Sequence, residues 1–216
     1  MKSKRILAIA NLINKDDKLI DVGCDHGYLG IYLKKNKLVN DLLLTDLRES
    51  ALNNAIENIK KAKLDINTFL TDGLNNIDLN KYNCISISGM GTSLIIKILS
   101  ALKDNSSITK LIIQSNNDLD ILRKEISNLG FYLDDEVTIY ENGIYYIICK
   151  FIKGNKKLDQ ELIEFGLKKL DKKPYYNYLI NYWQEILKKV PKKNETLINE
   201  LNNKIEKLNK LLKECR

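Results

Sequence analysis

Residues 18–30 constrain this chain more than any other part of its sequence. A short apolar run, residues 19–22, leads into a loop that contains Gly23 and Gly27. A helical pattern begins at Tyr28, with apolar residues recurring on one side. A strand, a glycine-containing loop and a helix in this order bring the backbone close to a bound nucleotide-like ligand. The stretch therefore predicts the first unit of an α/β fold, with a ligand site at the loop.

Acidic residues distinguish this loop from one that holds a dinucleotide. The spacing is Asp21-x-Gly23-x-Asp25-x-Gly27. In a dinucleotide site a pyrophosphate sits against helix N–H groups, where negative charge is favoured, and two carboxylates would repel it. The acids suit a cationic ligand with an amino group, such as S-adenosylmethionine; the alternative is a turn that only joins a strand to a helix. The loop residues predicted to bind this cofactor are Asp21, Gly23, Cys24, Asp25, His26 and Gly27.

Length and cysteine spacing limit the class of protein. The 216 residues accommodate an α/β domain of roughly 150 residues and an appendage. The cysteines, at 24, 84, 149 and 215, form no CxxC pair, so neither a zinc site nor a disulfide framework is predicted. There is no run of about 18 apolar residues and no apolar core of a signal peptide. We expect a cytoplasmic protein without a metal or a membrane partner.

The charge is unevenly distributed along the chain. Residues 1–150 contain 19 Lys and Arg and 19 Asp and Glu, whereas residues 151–216 contain 16 and 9, so the formal net charge of +7 lies in the last third. A basic segment beside a neutral domain is typical of proteins that bind a polyanion, most often nucleic acid. The alternative is a solvated helical surface that is rich in lysine because of codon usage.

Two further acids follow predicted strands and extend the ligand site. Asp46 ends the second strand and lies 19 residues after Gly27, a spacing at which an acid accepts hydrogen bonds from a ribose. It could also cap the following helix, predicted over 51–62. Asp72 and Gly73 follow the third strand, where the pair forms a turn. At the edge of a nucleoside pocket, the Asp72 carboxylate can accept a hydrogen bond from an adenine amino group.

Small residues end the fourth predicted strand, 82–88, at the edge of the sheet where open α/β folds bind ligands. Ser88 is followed by Gly89, which we predict contacts the cofactor, and by Met90. The fifth strand runs into Asn116. The small residues at the end of the fourth strand let a substrate approach the cofactor. For Ser88, Met90 and Asn116 the alternative is loop capping or core filling.

Strands and helices alternate up to a predicted hairpin, 131–140 and 144–151. An Asn-Gly pair joins its two strands, which is a strong hairpin signal. The pattern predicts an α/β fold with a doubly wound, Rossmann-like sheet, mostly parallel with one antiparallel edge strand. A helix over 4–13 precedes the first strand, and we expect Arg5 at its start to face solvent rather than the ligand cleft.

A change of composition near residue 154 predicts two domains, 1–152 and 153–216. Three helices are predicted in the second domain, over 158–170, 174–190 and 195–214. A coiled-coil seam of about two heptads in the last helix consists of Leu201, Ile205, Leu208 and Leu212. We expect two of the helices to pair antiparallel within one chain, and therefore a monomer rather than an intermolecular dimer.

Aromatic residues cluster near lysines in the middle helix of the second domain. They are Tyr175, Tyr176, Tyr178, Tyr182 and Trp183. Aromatic rings beside cations can stack on exposed nucleic-acid bases. At helical spacing, packing of one helix against another is the commoner use, and the sequence alone favours it.

Five motifs resemble those of the bacterial tRNA (adenine22-N1)-methyltransferases. Residues 21–29, Asp-Val-Gly-Cys-Asp-His-Gly-Tyr-Leu, resemble the family's Asp-Ile-Gly-Ser-Asp-His-Ala-Tyr-Leu. The others are Asp-Gly-Leu at 72–74, Ile-Ser-Gly-Met-Gly at 87–91, Leu-Ile-Ile-Gln-Ser-Asn at 111–116 and Asn-Gly-Ile-Tyr-Tyr at 142–146. Order and spacing agree across residues 4–150. The chain departs from the family pattern at Gly27 (usually alanine), Thr92 (glycine), Ser115 (proline) and Tyr146 (glutamate).

The resemblance implies a class I methyltransferase fold with a helical, coiled-coil extension, S-adenosylmethionine as donor and adenine 22 of tRNA as acceptor. Adenine N1 carries a lone pair and can attack the methyl group without losing a proton, so no general base is required. We expect Ser88 and Asn116 to hydrogen bond to the base and Met90 to pack against it, so that catalysis comes mainly from positioning. His26 is expected to hold the donor or the loop rather than to carry a proton.

Two other functions remain compatible with the sequence. One is an enzyme of the same fold that methylates a small molecule or a protein, although a basic tail beside a neutral domain disfavours a small molecule. The other is a non-enzymatic RNA-binding protein that retains the cofactor loop. The acids at Asp21, Asp46 and Asp72 disfavour that second alternative.

Overall fold

One mixed sheet organises the part of the chain that this computed structural model describes, residues 3–103, 105–156 and 158–215. The strands are β1 (Lys18–Val22), β2 (Asp41–Asp46), β3 (Asn67–Leu70), β4 (Cys84–Met90), β5 (Lys110–Ser115), β6 (Phe131–Glu141) and β7 (Ile144–Lys153). The α-helices are α1 (Lys4–Asn11), α2 (Tyr28–Lys35), α3 (Glu49–Ala62), α4 (Thr92–Leu99), α5 (Leu119–Asn128), α6 (Gln160–Phe165), α7 (Lys173–Leu187) and α8 (Glu195–Glu214).

The strand order is β3-β2-β1-β4-β5-β7-β6, and β1 to β5 are mutually parallel. This confirms the predicted Rossmann-like α/β fold. The antiparallel strand is β7, which lies between β5 and β6 rather than at the edge. Its nearly continuous apolar sequence suits a position with a neighbour on each side, whereas the acids at Asp134, Asp135 and Glu136 mark β6 as the edge strand.

A single apolar cluster joins the first three helices to the sheet. Ile9 of α1, Leu33 of α2 and Ala55 of α3 are buried in it together with Leu44 of β2 and Ile112 of β5. Strands β1, β2 and β5 are buried along almost their whole length, which explains their largely apolar sequences, whereas β3 at the sheet edge is mostly exposed. This packing fixes the carboxyl ends of the strands relative to one another.

The first compact unit extends from Met1 to Gly166, beyond the predicted boundary at residue 152. Helix α6 packs against α5, where buried Arg123 pairs with Glu136 at 2.8 Å and donates a hydrogen bond to the Ile163 carbonyl at 2.9 Å. The helix predicted over 158–170 ends early, at Phe165, because Gly166 follows with a φ of +72°. These contacts explain why α6 belongs to the sheet domain.

The second unit, Leu167–Arg216, consists mainly of α7 and α8, which pack against each other. Lys204 lies 5.7 Å from the Trp183 ring centroid, while Lys168 pairs with Glu214. Trp183 comes later in the chain than Lys168, whereas Lys204, beside Trp183, comes earlier than Glu214, the partner of Lys168. The two paired segments therefore run antiparallel, as predicted. The buried leucines of α8 are Leu201, Leu208 and Leu211. Leu211 therefore takes the fully buried place that the heptad pattern assigned to Leu212.

Among the described residues, no helix is both long enough and apolar enough to span a membrane.

Candidate active site

A cavity of about 860 Å³ opens where the strand order reverses between β1 and β4. Ligands bind at this switch point in open α/β sheets. The volume is near the upper end of the range of roughly 300–1,000 Å³ for small-molecule sites, so the cavity has room for more than one small group. Its loop-side half is formed by residues after β1, β2 and β3. Its hairpin-side half is formed by the ends of β4 and β5, the start of β7 and α1.

The backbone N–H groups of the glycine loop are directed at β2 rather than at the cavity. Gly23 and Cys24 both donate to the Thr45 carbonyl, at 2.8 and 2.9 Å. The N–H of Asp25 donates to Oδ2 of Asp46 at 3.0 Å. With these donors already used, the loop does not offer them to a phosphate, in agreement with the prediction that a pyrophosphate is excluded.

Gly23 is favoured by its backbone conformation, since its φ of +75° is one that residues with a side chain rarely adopt. A Cβ atom there would lie 2.1 Å from the terminal methyl carbon of Met90. The Met90 side chain thus reaches from β4 to the glycine loop. Gly27, by contrast, lies outside the cavity wall; its N–H donates to the Cys24 carbonyl, and it packs against Ala55.

Asp46 is the acid around which the loop-side half is built. Its side chain is only 6% exposed, and each carboxylate oxygen already accepts one backbone N–H, from Asp25 at 3.0 Å and from Arg48 at 2.9 Å. A carboxylate offers about four acceptor positions, so two remain for the diol of a ribose. The residue before α3 is Arg48, so Asp46 supports the turn that precedes this helix but does not occupy its N-cap.

The same half of the cavity contains the Asp21 carboxyl group, whose protonation depends on the charges near it. Burial raises its pKa to about 7, and the negative charge of Asp46 acts in the same direction. Burial and the same two acids also raise the pKa of the Cys24 thiol, so this cysteine stays protonated and is not a nucleophile. A cation placed beside Asp21 would favour the ionised carboxylate.

Gln114 organises the hairpin-side half, although it is not one of the predicted site residues. Its buried amide oxygen accepts from the Gly89 N–H at 3.0 Å and from Nη1 of Arg5 at 3.3 Å. Its amide nitrogen donates to the Ser115 carbonyl at 2.8 Å and to Oδ1 of Asn116 at 3.1 Å. All four hydrogen bonds agree on the orientation of the amide, which fixes it in place.

Asn116 completes this network by holding the bulge at the end of β4. Its Nδ2 donates to the Gly89 carbonyl at 2.8 Å, and its backbone N–H donates to the Met90 carbonyl at 2.9 Å. Gly89 has a φ of +80° and interrupts the β4–β5 register. One N–H and one acceptor position of the Asn116 side chain are still available to a ligand.

Arg5 faces the cavity, which corrects the expectation that it faces solvent. Glu141, at the end of β6, accepts hydrogen bonds from the Lys4 N–H at 2.6 Å and from the Ser3 hydroxyl at 2.8 Å. This anchors the start of α1 beside the cavity, and the Arg5 guanidinium lies 5.1 Å from the ring centroid of Tyr146. The helical pattern contained a signal, because Arg5 lies four residues before buried Ile9 and hence on the same side of α1.

His26 lies at the loop-side rim with its side chain 44% exposed. Its ring stacks on Tyr28, with centroids 5.3 Å apart, and Nε2 is 3.6 Å from Oδ2 of Asp25. The backbone carbonyl accepts from Nδ2 of Asn58 at 3.1 Å. These contacts hold the loop against α3.

The cavity brings together twelve of the thirteen residues predicted for the site, all except Gly27. They are Asp21, Gly23, Cys24, Asp25, His26, Asp46, Asp72, Gly73, Ser88, Gly89, Met90 and Asn116. Lining residues that were not among the predicted site residues include Arg5, Arg48, Gln114, Tyr145 and Tyr146. No group of three or more His, Cys, Asp or Glu side chains suited to a metal ion occurs in residues 3–103, 105–156 and 158–215.

A match to a known protein family identifies the class of protein to which this chain belongs. The family model described as a methyltransferase domain matches residues 2–149. Together with the strand order and the cavity at its switch point, this match defines a Rossmann-like methyltransferase.

Three similar proteins identify the family within this class. MG248 of Mycoplasma genitalium, named as a candidate tRNA methyltransferase, is 32% identical, and the match covers 97% of this chain and 96% of that protein. The tRNA (adenine(22)-N(1))-methyltransferase of Bacillus subtilis is 31% identical over 71% of this chain and 66% of its own length. The structure of M. capricolum TrmK with S-adenosyl-homocysteine superposes with a TM-score of 0.86 and 30% identity, over the full length of both chains. The chain belongs to the tRNA (adenine22-N1)-methyltransferase family.

Proposed function

We propose that this protein transfers a methyl group from S-adenosylmethionine to N1 of adenine 22 in tRNA. The observation that carries the proposal is the contrast within the cavity, where acids line one half and a fixed network of amides lines the other. The first suits a cationic nucleoside donor, and the second suits a neutral base. Relatives with the same fold support the donor and the acceptor, since one bears the activity in its name and another holds the product of the donor.

In this proposal the loop-side half binds the donor, which supplies an electrophilic methyl group on a sulfonium. Asp46 accepts hydrogen bonds from the ribose with the acceptor positions that the loop leaves open. Asp72, which is exposed at the cavity, accepts from the adenine amino group, beside Gly73. Asp21 attracts the positive charge of the donor, and the remaining loop residues, Gly23, Cys24, Asp25 and His26, enclose its methionine end.

The hairpin-side half positions the acceptor base. Ser88 and Asn116 hydrogen bond to it, and Met90 packs against it at the boundary with the donor. The lone pair on N1 forms the new N–C bond while the C–S bond breaks, so positive charge moves from sulfur to the base and no proton is transferred. Correct placement of the two reactants can then supply much of the acceleration, up to roughly 7–11 kcal/mol in ideal cases.

The helical unit supplies the charge needed to bind tRNA. Residues 167–216 contain 13 Lys and Arg against 6 Asp and Glu, which equals the net charge of the whole chain. Lysines on this unit neutralise phosphates and make the affinity depend on salt. The enzyme acts as a monomer in this proposal, because its helical pair forms within one chain, and a tRNA substrate places it in the cytoplasm.

Unmodified tRNA transcripts, incubated with the protein and methyl-labelled donor, test the function directly. Nucleoside analysis should show 1-methyladenosine, and a transcript with guanine at position 22 should remain unlabelled. Label on a different nucleoside, or equal labelling of both transcripts, would contradict the assignment. The Asn116→Ala variant, in which turnover is expected to fall, is purified in parallel and gives the matched control for contaminating activity.

A further inference from the structure

Three tyrosines form a ladder along one side of α7. The ring centroids of Tyr175 and Tyr178 are 6.5 Å apart with an interplanar angle of 19°, and those of Tyr178 and Tyr182 are 6.4 Å apart at 16°. Tyr178 is 48% exposed and Tyr182 is 52% exposed. The tyrosine ladder, Tyr175, Tyr178 and Tyr182, thus presents nearly parallel rings over about 10 Å of helix.

The ladder is not the face of α7 that packs in the core. The buried residues of this helix are Tyr176 and Ile180. At about 100° per residue, the ladder is centred roughly 150° around the helix from that buried pair. The sequence-based preference for helix packing therefore holds for Tyr176, and it does not hold for Tyr178 and Tyr182. Large aromatic side chains aligned on an exposed face mark a surface for interaction.

The ladder leads towards a group of lysines in the connection between α7 and α8. The lysine loop, residues 188–193, contains Lys188, Lys189, Lys192 and Lys193, and all four are exposed. Only Lys188 is seen in an ion pair within the described residues, with Glu185. A row of exposed rings that ends in a concentration of positive charge is the combination found in surfaces that bind unpaired nucleic-acid strands.

We propose that the tyrosine ladder stacks on unpaired bases of the tRNA while the lysine loop contacts the adjacent phosphates. The inference rests on the proposed tRNA substrate and specifies how one surface recognises it. Bases within a continuous duplex are stacked on both sides, so only nucleotides in loops or at unstacked positions can lie against the rings. The surface thereby recognises the shape of a folded tRNA and not merely its charge.

Paired variants separate ring stacking from other roles of the same residues. In the full-length protein, Tyr178→Leu with Tyr182→Leu removes two rings and keeps an apolar, helix-favouring side chain. Tyr178→Phe with Tyr182→Phe keeps both rings and removes the hydroxyls. We expect the leucine variant to raise the Kd for an unmodified tRNA transcript by roughly fivefold or more for each ring, and the phenylalanine variant to bind like the wild type.

Salt dependence distinguishes the ladder from the lysine loop. Lys192→Gln with Lys193→Gln should lower the slope of log Kd against log salt by about 1.4–1.8, because two phosphate contacts are lost. The leucine variant should leave that slope unchanged. Donor affinity and melting temperature should remain at wild-type values in all three variants, which shows that the fold and the cavity are intact.

Several results of these measurements would overturn the proposal. Equal tRNA affinity in the leucine variant and the wild type would overturn the proposal, and so would a phenylalanine variant as weak as the leucine variant. A wild-type dimer that the leucine variant dissociates, seen by sedimentation, would assign the ladder to a second copy of the chain and also overturn it. If the wild type itself methylates no tRNA, the proposed function fails; if it does so and the leucine variant binds equally well, only the ladder fails.

Discussion

The two halves of the cavity differ in the chemical groups that line them. Carboxylates dominate the loop-side half, and one of them, Asp21, is buried deeply enough to have a pKa of about 7. In the hairpin-side half the central groups are the amides of Gln114 and Asn116, which do not ionise. Under the proposed function, acidic groups attract the donor, whereas hydrogen bonds of fixed amides position the acceptor.

The largest effect is expected from Asn116→Ala. This change removes the hydrogen bond to the Gly89 carbonyl and one partner of Gln114, so the bulge that carries Met90 loses its support. Turnover should fall by about ten- to a thousandfold, as for other positioning contacts, while donor affinity is retained. Asn128→Ala, an exposed asparagine on α5, is the control and should be neutral. Equal loss of donor affinity would show that the two halves are not separate.

Asp46→Ala should act on the opposite half. Charged hydrogen bonds contribute roughly 1.5–3 kcal/mol each, so donor affinity measured by calorimetry should fall tenfold or more. Asp46→Asn should lose less, because it retains one acceptor oxygen. Asp65→Ala, at an exposed position, provides the control. A folded Asp46→Ala protein with unchanged donor affinity would remove Asp46 from the donor site.

Donor affinity should also depend on pH through Asp21. Its raised pKa means that the free protein is largely protonated there at pH 6 and ionised at pH 8, and only the ionised form attracts a cation. Affinity should therefore rise by about tenfold from pH 6 to pH 8. Asp21→Asn should bind more weakly and lose this dependence. A wild-type affinity that is constant across this interval would contradict a role for the Asp21 charge.

The smallest effect is expected from Arg5→Gln. The variant loses the hydrogen bond to the Gln114 amide oxygen and the contact with the Tyr146 ring, while the Gly89 N–H still holds that oxygen. We expect turnover to fall by roughly tenfold or less, with unchanged donor affinity. Arg5→Lys should recover part of the loss. An Arg5→Gln enzyme with normal turnover would limit Arg5 to packing.

Sequence reasoning predicted the loop-side half better because its determinants are local. Strand, glycine loop and acid lie within residues 18–46, and their spacing alone brings Asp46 to the loop. The hairpin-side half depends on contacts between distant segments, such as Arg5 with Gln114 and Lys4 with Glu141. Contacts between distant segments leave no periodic pattern in the sequence. The sequence therefore predicts no site role for Gln114 and predicts, wrongly, that Arg5 faces solvent.

Elsewhere, including at one position of the glycine loop, tertiary packing outweighs a local sequence pattern. Gly27 fitted the glycine spacing, yet it packs against Ala55 outside the cavity wall. The linker composition near residue 154 suggested a boundary there, but α6 packs onto α5 and moves the division to Gly166. The heptad pattern located the α8 seam correctly at Leu201 and Leu208, and erred by one residue at Leu211.

In the proposed mechanism the acceptor half works by position and without a proton carrier. The pH dependence of turnover, with donor and tRNA both saturating, tests it most directly. Saturating donor removes the contribution of Asp21, so the rate should be flat between about pH 6 and 8 and fall only at lower pH, where adenine N1 itself is protonated. His26→Ala should show the same profile. A steep change in turnover between pH 6 and 8 that disappears in His26→Ala would show that His26 carries a proton in the reaction, contrary to the proposed mechanism.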